Sequence, residues 1–300
     1  MRILVSGSTG LIGSALVDHL LGAGHDVRRL VRSEAAGAGD LSWVPGQPLA
    51  PEALASVDAV VNLSGANVGS RWSAAAKREI LDSRVKSTRT LAEAVAAARD
   101  KGRQVTLVSA SAIGYYGSRG DDVLTEESKP GAGFLAEVCQ AWEQAAEPAR
   151  LAGARVVHPR IGIVLSAHGG ALGKMLPAFR AGVAGRMGSG RQYWSWISLQ
   201  DVVGAITHLL TNVGVSGPVN LVSPAPATNA EFTKALAGVL RRPAIVPMPA
   251  TAVRLAFGEM GEETILASQR VLPNRLLESG YRFRDSELTG ALRNALGSDR

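Results

Sequence analysis

An apolar triplet, three evenly spaced glycines, a helical repeat and a second apolar run, in that order, commit a chain to a parallel βαβ unit. Residues 1–32 read MRILVSGSTGLIGSALVDHLLGAGHDVRRLVR. Residues 3–5 have the composition of a buried strand. Leu11, Ala15, Leu16, His19 and Leu20 recur at helical spacing, and Gly22 and Gly24 mark the helix end. Val27, Leu30 and Val31 then open a second strand.

The glycines divide the work of the turn. Gly7 suits a tight strand-to-helix turn that needs positive φ. Gly10 leaves room for a pyrophosphate close to the backbone, and Gly13 lets the helix lie against its strand. A helix N-terminus offers free N–H groups and the positive end of its dipole to such phosphates. The spacing is G-x-x-G-x-x-G rather than the general G-x-G-x-x-G, but its place between strand and helix points to a dinucleotide site. An acidic residue at the tip of the second strand would hold the ribose hydroxyls of NAD. Asp26 comes before that strand, and the tip reads Arg28-Arg29-Leu30-Val31-Arg32-Ser33. Arg32 and Ser33 suit a 2′-phosphate, so NADP(H) is expected over NAD.

Strands and helices continue to alternate, which predicts a doubly wound parallel sheet. Residues 41–44 read as a third strand and 58–66 as a fourth that runs into a small-residue turn. Residues 73–99 read as a long helix with a break near Asp82-Ser83. Residues 105–109 read as a fifth strand, 134–151 as one helix, and 155–157 with 161–165 frame a sixth strand around His158-Pro159-Arg160. After Leu165 come the loops 166–195, which read as substrate loops, then further strands and helices to 240. A proline-bounded linker, 243–249, precedes a mostly helical remainder. The expected division is a dinucleotide-binding domain at 1–242 and a small module at 243–300 that helps to form the substrate cleft.

Three hundred residues, 46% hydrophobic and 19% charged, suffice for a sizeable core. A net charge of +6 without runs of like charge, and without a recognisable nucleic-acid motif, speaks for anionic cofactor binding and against nucleic acid. The lone Cys139 excludes an intrachain disulfide, and the chain enters a strand at once with no room for a signal peptide, so a cytoplasmic location is expected. No apolar run reaches membrane-span length, and no cluster has metal-ligand spacing, so neither membrane nor metal is expected.

Together these residues resemble the short-chain dehydrogenase/reductase superfamily in its extended, nucleotide-sugar-epimerase branch. The matches are the glycine turn, Asp58…Asn62-Leu63-Ser64-Gly65, Ser109…Ser111, Trp196-Ile197…Asp201 and Asn220. An atypical epimerase-family subgroup is more similar still, through Arg71-Trp72, Ser83-Arg84…Thr88, Gly114-Tyr115-Tyr116-Gly117, Phe134-Leu135-Ala136…Cys139…Trp142-Glu143, Gly188-Ser189-Gly190 and Gln269-Arg270-Val271…Pro273. The resemblance implies an extended Rossmann fold binding NADP(H). It implies a cofactor set of Gly7, Thr9, Gly10, Leu11, Ile12, Gly13, Arg32, Ser33, Leu63, Ser64, Glu79, Arg84 and Ile161. Gly65 and Ser109, at the ends of the fourth and fifth strands, join this set.

Active members of the superfamily pair a tyrosine with a lysine one helical turn away, as Tyr-x-x-x-Lys, because the cation lowers the phenol toward a useful acid/base range. This chain lacks the motif; Phe134 and Val138 stand where it belongs. Ser111, Tyr115 and Tyr116 are the remaining candidates for catalysis, and Arg160 and Lys174 are candidate contacts to an anionic substrate. The expected function is an NADP(H)-dependent oxidoreductase or epimerase acting on a small polar molecule, as a monomer or homodimer. The alternative is a non-catalytic NADP(H)-binding sensor or interaction protein.

Overall fold

The computed structural model describes residues 1–32, 37 and 39–297. Along the chain, β1 (Arg2–Ser6), α1 (Leu11–Gly22), β2 (Asp26–Val31), β3 (Asp40–Ser42), β4 (Ala59–Asn62), α2 (Ala74–Asp100) and β5 (Thr106–Ser109) build the first half. Then follow β6 (Ser111–Ala112), β7 (Val123–Leu124), α3 (Phe134–Gln144), α4 (Glu147–Leu151), β8 (Val156–Ile161), β9 (Ile163–Leu165) and α5 (Gly170–Arg180). The last third holds β10 (Tyr193–Trp194), β11 (Trp196–Ser198), α6 (Leu199–Thr211), β12 (Gly217–Leu221), β13 (Ala227–Thr228) and α7 (Asn229–Leu240). It ends with α8 (Ala250–Phe257), β14 (Arg270–Val271), α9 (Asn274–Glu278) and α10 (Leu288–Leu296).

The central sheet runs β3-β2-β1-β4-β5-β8-β12, all parallel, with β6 continuing the ladder beside β8. The strand order reverses between β1 and β4, and the crevice at the carboxyl ends there is where open α/β sheets take ligands. Both faces of the sheet are covered. Ile3 and Val5 pack with Leu16, Leu20, Ile206 and Leu209 of α1 and α6, while Leu4 and Val60 pack with Leu91, Val95 and Ala149 of α2 and α4. A third core joins α5, α7 and α10 through Leu172, Phe179, Trp194, Phe232 and Leu292.

Three elements differ from expectation. The helix from Ala74 is unbroken at Asp82-Ser83, because the Ser83 hydroxyl donates to the Ile80 carbonyl and accepts from the Ala66 amide instead of interrupting the ladder. The helix expected over 134–151 is two, because Pro148 has no N–H to continue the first. The sixth strand, β8, passes through His158-Pro159-Arg160 but stops at Ile161, and residues 163–165 form the separate strand β9, which pairs with β11 outside the central sheet.

Candidate functional site

The crevice between β1 and β4 is built around close backbone contacts. Gly7 has φ +71°, and a Cβ there would lie 2.6 Å from the Leu63 carbonyl carbon and oxygen. At Gly13 a Cβ would stand 2.1 Å from the Gly7 oxygen, so α1 rests directly on the turn. Gly10 is the N-cap of α1, with φ −78°, exposed and facing open space except for the Gly7 oxygen 3.3 Å away. The helix start has no side-chain cap and no acid in its first turn, which leaves its amides and dipole for an anion. Thr9 beside them is exposed, and Leu11 and Ile12 are half-buried.

At the tip of β2, Arg29 is held by Asp40 in a two-point ion pair of 2.7 and 2.8 Å. Arg32 is exposed and makes no ion pair among the described residues. Ser33 lies outside the described residues. Across the crevice the β4 strand ends in half-buried Leu63 and Ser64 and exposed Gly65. The Arg84 guanidinium lies over Gly65, where a Cβ would be 3.0 Å from its central carbon. It donates to the carbonyls of Ala66 and Ile80 and sits 4.9 Å from the Trp142 ring. Burial lowers its pKa, and no carboxylate neutralises it among the described residues. Glu79, one turn earlier on α2, is exposed.

Behind this surface lies a polar shelf. Ser6 donates to Asn62 at 2.7 Å, Asn62 donates to Thr88 at 2.8 Å and Ser109 at 3.3 Å, and Trp142 donates to Thr88 at 2.9 Å. Ser109 is fully buried in it, a layer below the crevice, where it braces the β4 and β5 ends. Ile161, at the end of β8, is half-buried.

The second half of the site is a continuous hydrogen-bonded chain. Ser111 donates to Glu143 at 2.7 Å. Arg160 grips both Glu143 oxygens at 2.8 and 2.9 Å and donates to the Tyr116 hydroxyl at 2.9 Å, and Tyr116 donates to Asn220 at 2.7 Å. Arg160 is 3% exposed, so it is neither a solvated cation nor a substrate contact. Burial works against its charge, but the hydrogen bonds and charge of Glu143 outweigh that and hold it protonated. Burial pushes the Tyr116 phenol up to about 12. Tyr115 is half-buried, with the Arg160 guanidinium 3.5 Å from its ring centre, and its hydroxyl has no partner among the described residues. Lys174 is likewise committed, to the Gly69 carbonyl. Cys139 is buried, its thiol pushed up to about 11 by burial, and is inert packing.

The carboxyl-terminal residues lock this half in place, which sequence reasoning missed. Gln269 donates to the carbonyls of Ile113 and Gly117 at 3.1 Å each, holding the tyrosine loop from both ends. Glu263 accepts from the amides of Phe134 and Leu135 at 2.8 Å each, capping α3 from outside its own sequence neighbourhood. Lys77 pairs with Glu259 at 2.7 Å and lies 4.5 Å over the Phe134 ring, which also meets Trp72 edge-on. Capping across 129 residues of sequence leaves no local signal.

Residues 3–221 match the NAD dependent epimerase/dehydratase family, and residues 248–295 match a domain of unknown function, DUF1731. An epimerase family protein of Mycobacterium bovis is 47% identical over 292 residues, 97% of this chain and 96% of that one. The human epimerase family protein SDR39U1 is 38% identical over 303 residues, 98% of this chain and 99% of that one. The crystal structure of human SDR39U1 (isoform2) with NADPH superposes with a TM-score of 0.87 at 35% identity, over 99% of each chain. A nucleoside-diphosphate sugar epimerase of Corynebacterium glutamicum superposes with a TM-score of 0.83 at 36% identity, over all of this chain and 59% of that one. This chain belongs to the NAD dependent epimerase/dehydratase family.

Proposed function

We propose that this chain binds NADP(H) in the crevice between β1 and β4 and acts as an oxidoreductase or epimerase on a small polar substrate. One observation carries the reading: the uncapped N-terminus of α1 opens beside Gly10, between Arg32 and Arg84, two cations without carboxylate partners among the described residues. The crystallisation of human SDR39U1 with NADPH supports it. Gly7, Thr9, Gly10, Leu11, Ile12 and Gly13 would receive the pyrophosphate, Arg32 and Ser33 the 2′-phosphate, and Leu63, Ser64, Gly65, Glu79, Arg84 and Ile161 the remainder, with Ser109 bracing the strand ends. When bound, the cofactor would supply a hydride as NADPH or take one up as NADP+.

This chain's own residues then have a proton to move and a substrate to orient. Tyr115 is our acid/base, since its hydroxyl is unengaged while that of Tyr116 both donates and accepts. Ser111 is 2% exposed and donates to Glu143, so it would act through that carboxylate as a positioning residue rather than touch the substrate. Arg160 and Glu143 position Tyr115.

The engagement of Phe134 with Trp72 and Lys77, where a catalytic tyrosine is otherwise expected, favours a second reading, a non-catalytic NADP(H)-binding protein. Steady-state NADPH oxidation against a panel of small aldehydes, ketones and keto acids separates the two. The enzyme reading expects turnover with some member, abolished in Tyr115→Phe with NADPH affinity retained. Unchanged turnover in Tyr115→Phe would remove that residue's role, and bound NADPH without turnover supports the second reading. We further propose the division into 1–242, with substrate loops 166–195, and 243–300, in a cytoplasmic monomer or homodimer with no nucleic-acid partner. Among the described residues no helix is long and apolar enough to cross a membrane.

A further inference from the structure

Away from the crevice, a cavity of about 670 Å³ opens between α7 and residues 241–247. Four cations line it, Arg186, Lys234, Arg241 and Arg242, and no acidic residue does. None of the four has an ion-pair partner among the described residues; Arg186 reaches only the Ser189 carbonyl, at 3.5 Å. Thr233 lines the cavity while only 6% exposed, and its hydroxyl has no partner among the described residues. The remaining lining is apolar, from Ala237, Ala244, Pro243 and Pro247 among others.

The walls are fixed. Met248 donates its amide to the Arg186 carbonyl at 2.9 Å, and Val246 donates to that of Ala184 at 3.1 Å. The Arg186 stem passes over Gly190, where a Cβ would be 3.3 Å from its Cδ. Arg241 ends α7 with φ +52°, the one positive φ outside glycine among the described residues. That position is usually glycine, and a side chain held there is strained. Four like charges around one hollow repel one another, and an anion of matching charge removes that repulsion.

We propose that this hollow is a second anion site, separate from the dinucleotide crevice, for a small molecule carrying two or more phosphates. Guanidinium forks and a hydroxyl donor suit phosphate oxygens, the volume is that of a small-ligand pocket, and the apolar wall accepts the uncharged part of the molecule.

The test is calorimetry with inorganic tripolyphosphate on protein already saturated with NADPH. The expected result is one further site, with affinity falling about tenfold or more in Arg241→Gly and in Arg242→Ala. Arg241→Gly suits the backbone conformation and so keeps or raises Tm, which separates lost charge from lost folding. Arg241→Lys restores binding in part. Three results would overturn the proposal: no heat on addition, displacement of NADPH by tripolyphosphate, or wild-type affinity in both variants. Binding to anionic lipid vesicles without uptake of tripolyphosphate would also overturn it.

Discussion

Gly10 and Gly13 sit in one turn, three residues apart, yet substitution by alanine should act on different quantities. At Gly13 the added Cβ would meet the Gly7 oxygen at 2.1 Å, with the Gly7 carbonyl carbon at 2.8 Å and the Ser8 Cα at 2.9 Å behind it. All three are backbone atoms, so the turn must retreat by about 1 Å, at a cost of about 1–3 kcal/mol. Alanine's better helix propensity offsets at most about 1 kcal/mol of that. At Gly10 the backbone is already in a conformation open to any residue, and the nearest atom is 3.3 Å away. The stability cost there is confined to the weaker N-cap, up to about 1 kcal/mol. Its methyl group, however, would project over the uncapped helix start, where we place the pyrophosphate. The expected result is that Gly10→Ala stays within a few degrees of wild-type Tm and loses about tenfold or more in NADPH affinity, about 1.4 kcal/mol. Gly13→Ala should lose both Tm and binding. Thermal denaturation followed by calorimetry reads both quantities. Wild-type NADPH affinity in Gly10→Ala would refute the phosphate cradle, and wild-type Tm in Gly13→Ala would refute the helix-to-turn contact.

Removing the Tyr116 hydroxyl in Tyr116→Phe strands Arg160 and Asn220, and should cost about 1–3 kcal/mol in denaturant unfolding with little change in NADPH affinity. Tyr116 is raised to about 12 in the fold, so its protonated form is favoured there. Its contribution is full below the unfolded value of about 10 and vanishes as pH rises through about 12. Wild-type stability should therefore decline faster than that of Tyr116→Phe across this window, whereas parallel declines would count against the buried phenol. Glu263→Gln removes the charge that caps α3, at about 1 kcal/mol, and should speed amide exchange at Phe134 and Leu135. Unaltered exchange there would mean that the cap carries no energy.

The first βαβ unit was legible because its signals are local: an apolar strand, glycines that the turn requires, and a helical repeat. The second half of the site was not. Arg160 read as a free cation because its partner, Glu143, lies 17 residues earlier on a helix that reaches the strand end only in the fold. Tyr115 and Tyr116 are neighbours in sequence, but the short helical turn they share points one hydroxyl into the Arg160–Asn220 chain and leaves the other unengaged. Glu263 and Gln269 were invisible as site residues, since their partners are backbone amides and carbonyls more than a hundred positions away.

The central claim is an NADP(H) site read by Arg32. Calorimetric titration of wild type and Arg32→Ala with NADPH and with NADH tests it most directly. The account predicts that wild type prefers NADPH by about tenfold or more, and that Arg32→Ala loses this preference while NADH binding is unchanged. Equal affinity of wild type for the two nucleotides, or no binding of either, would contradict it.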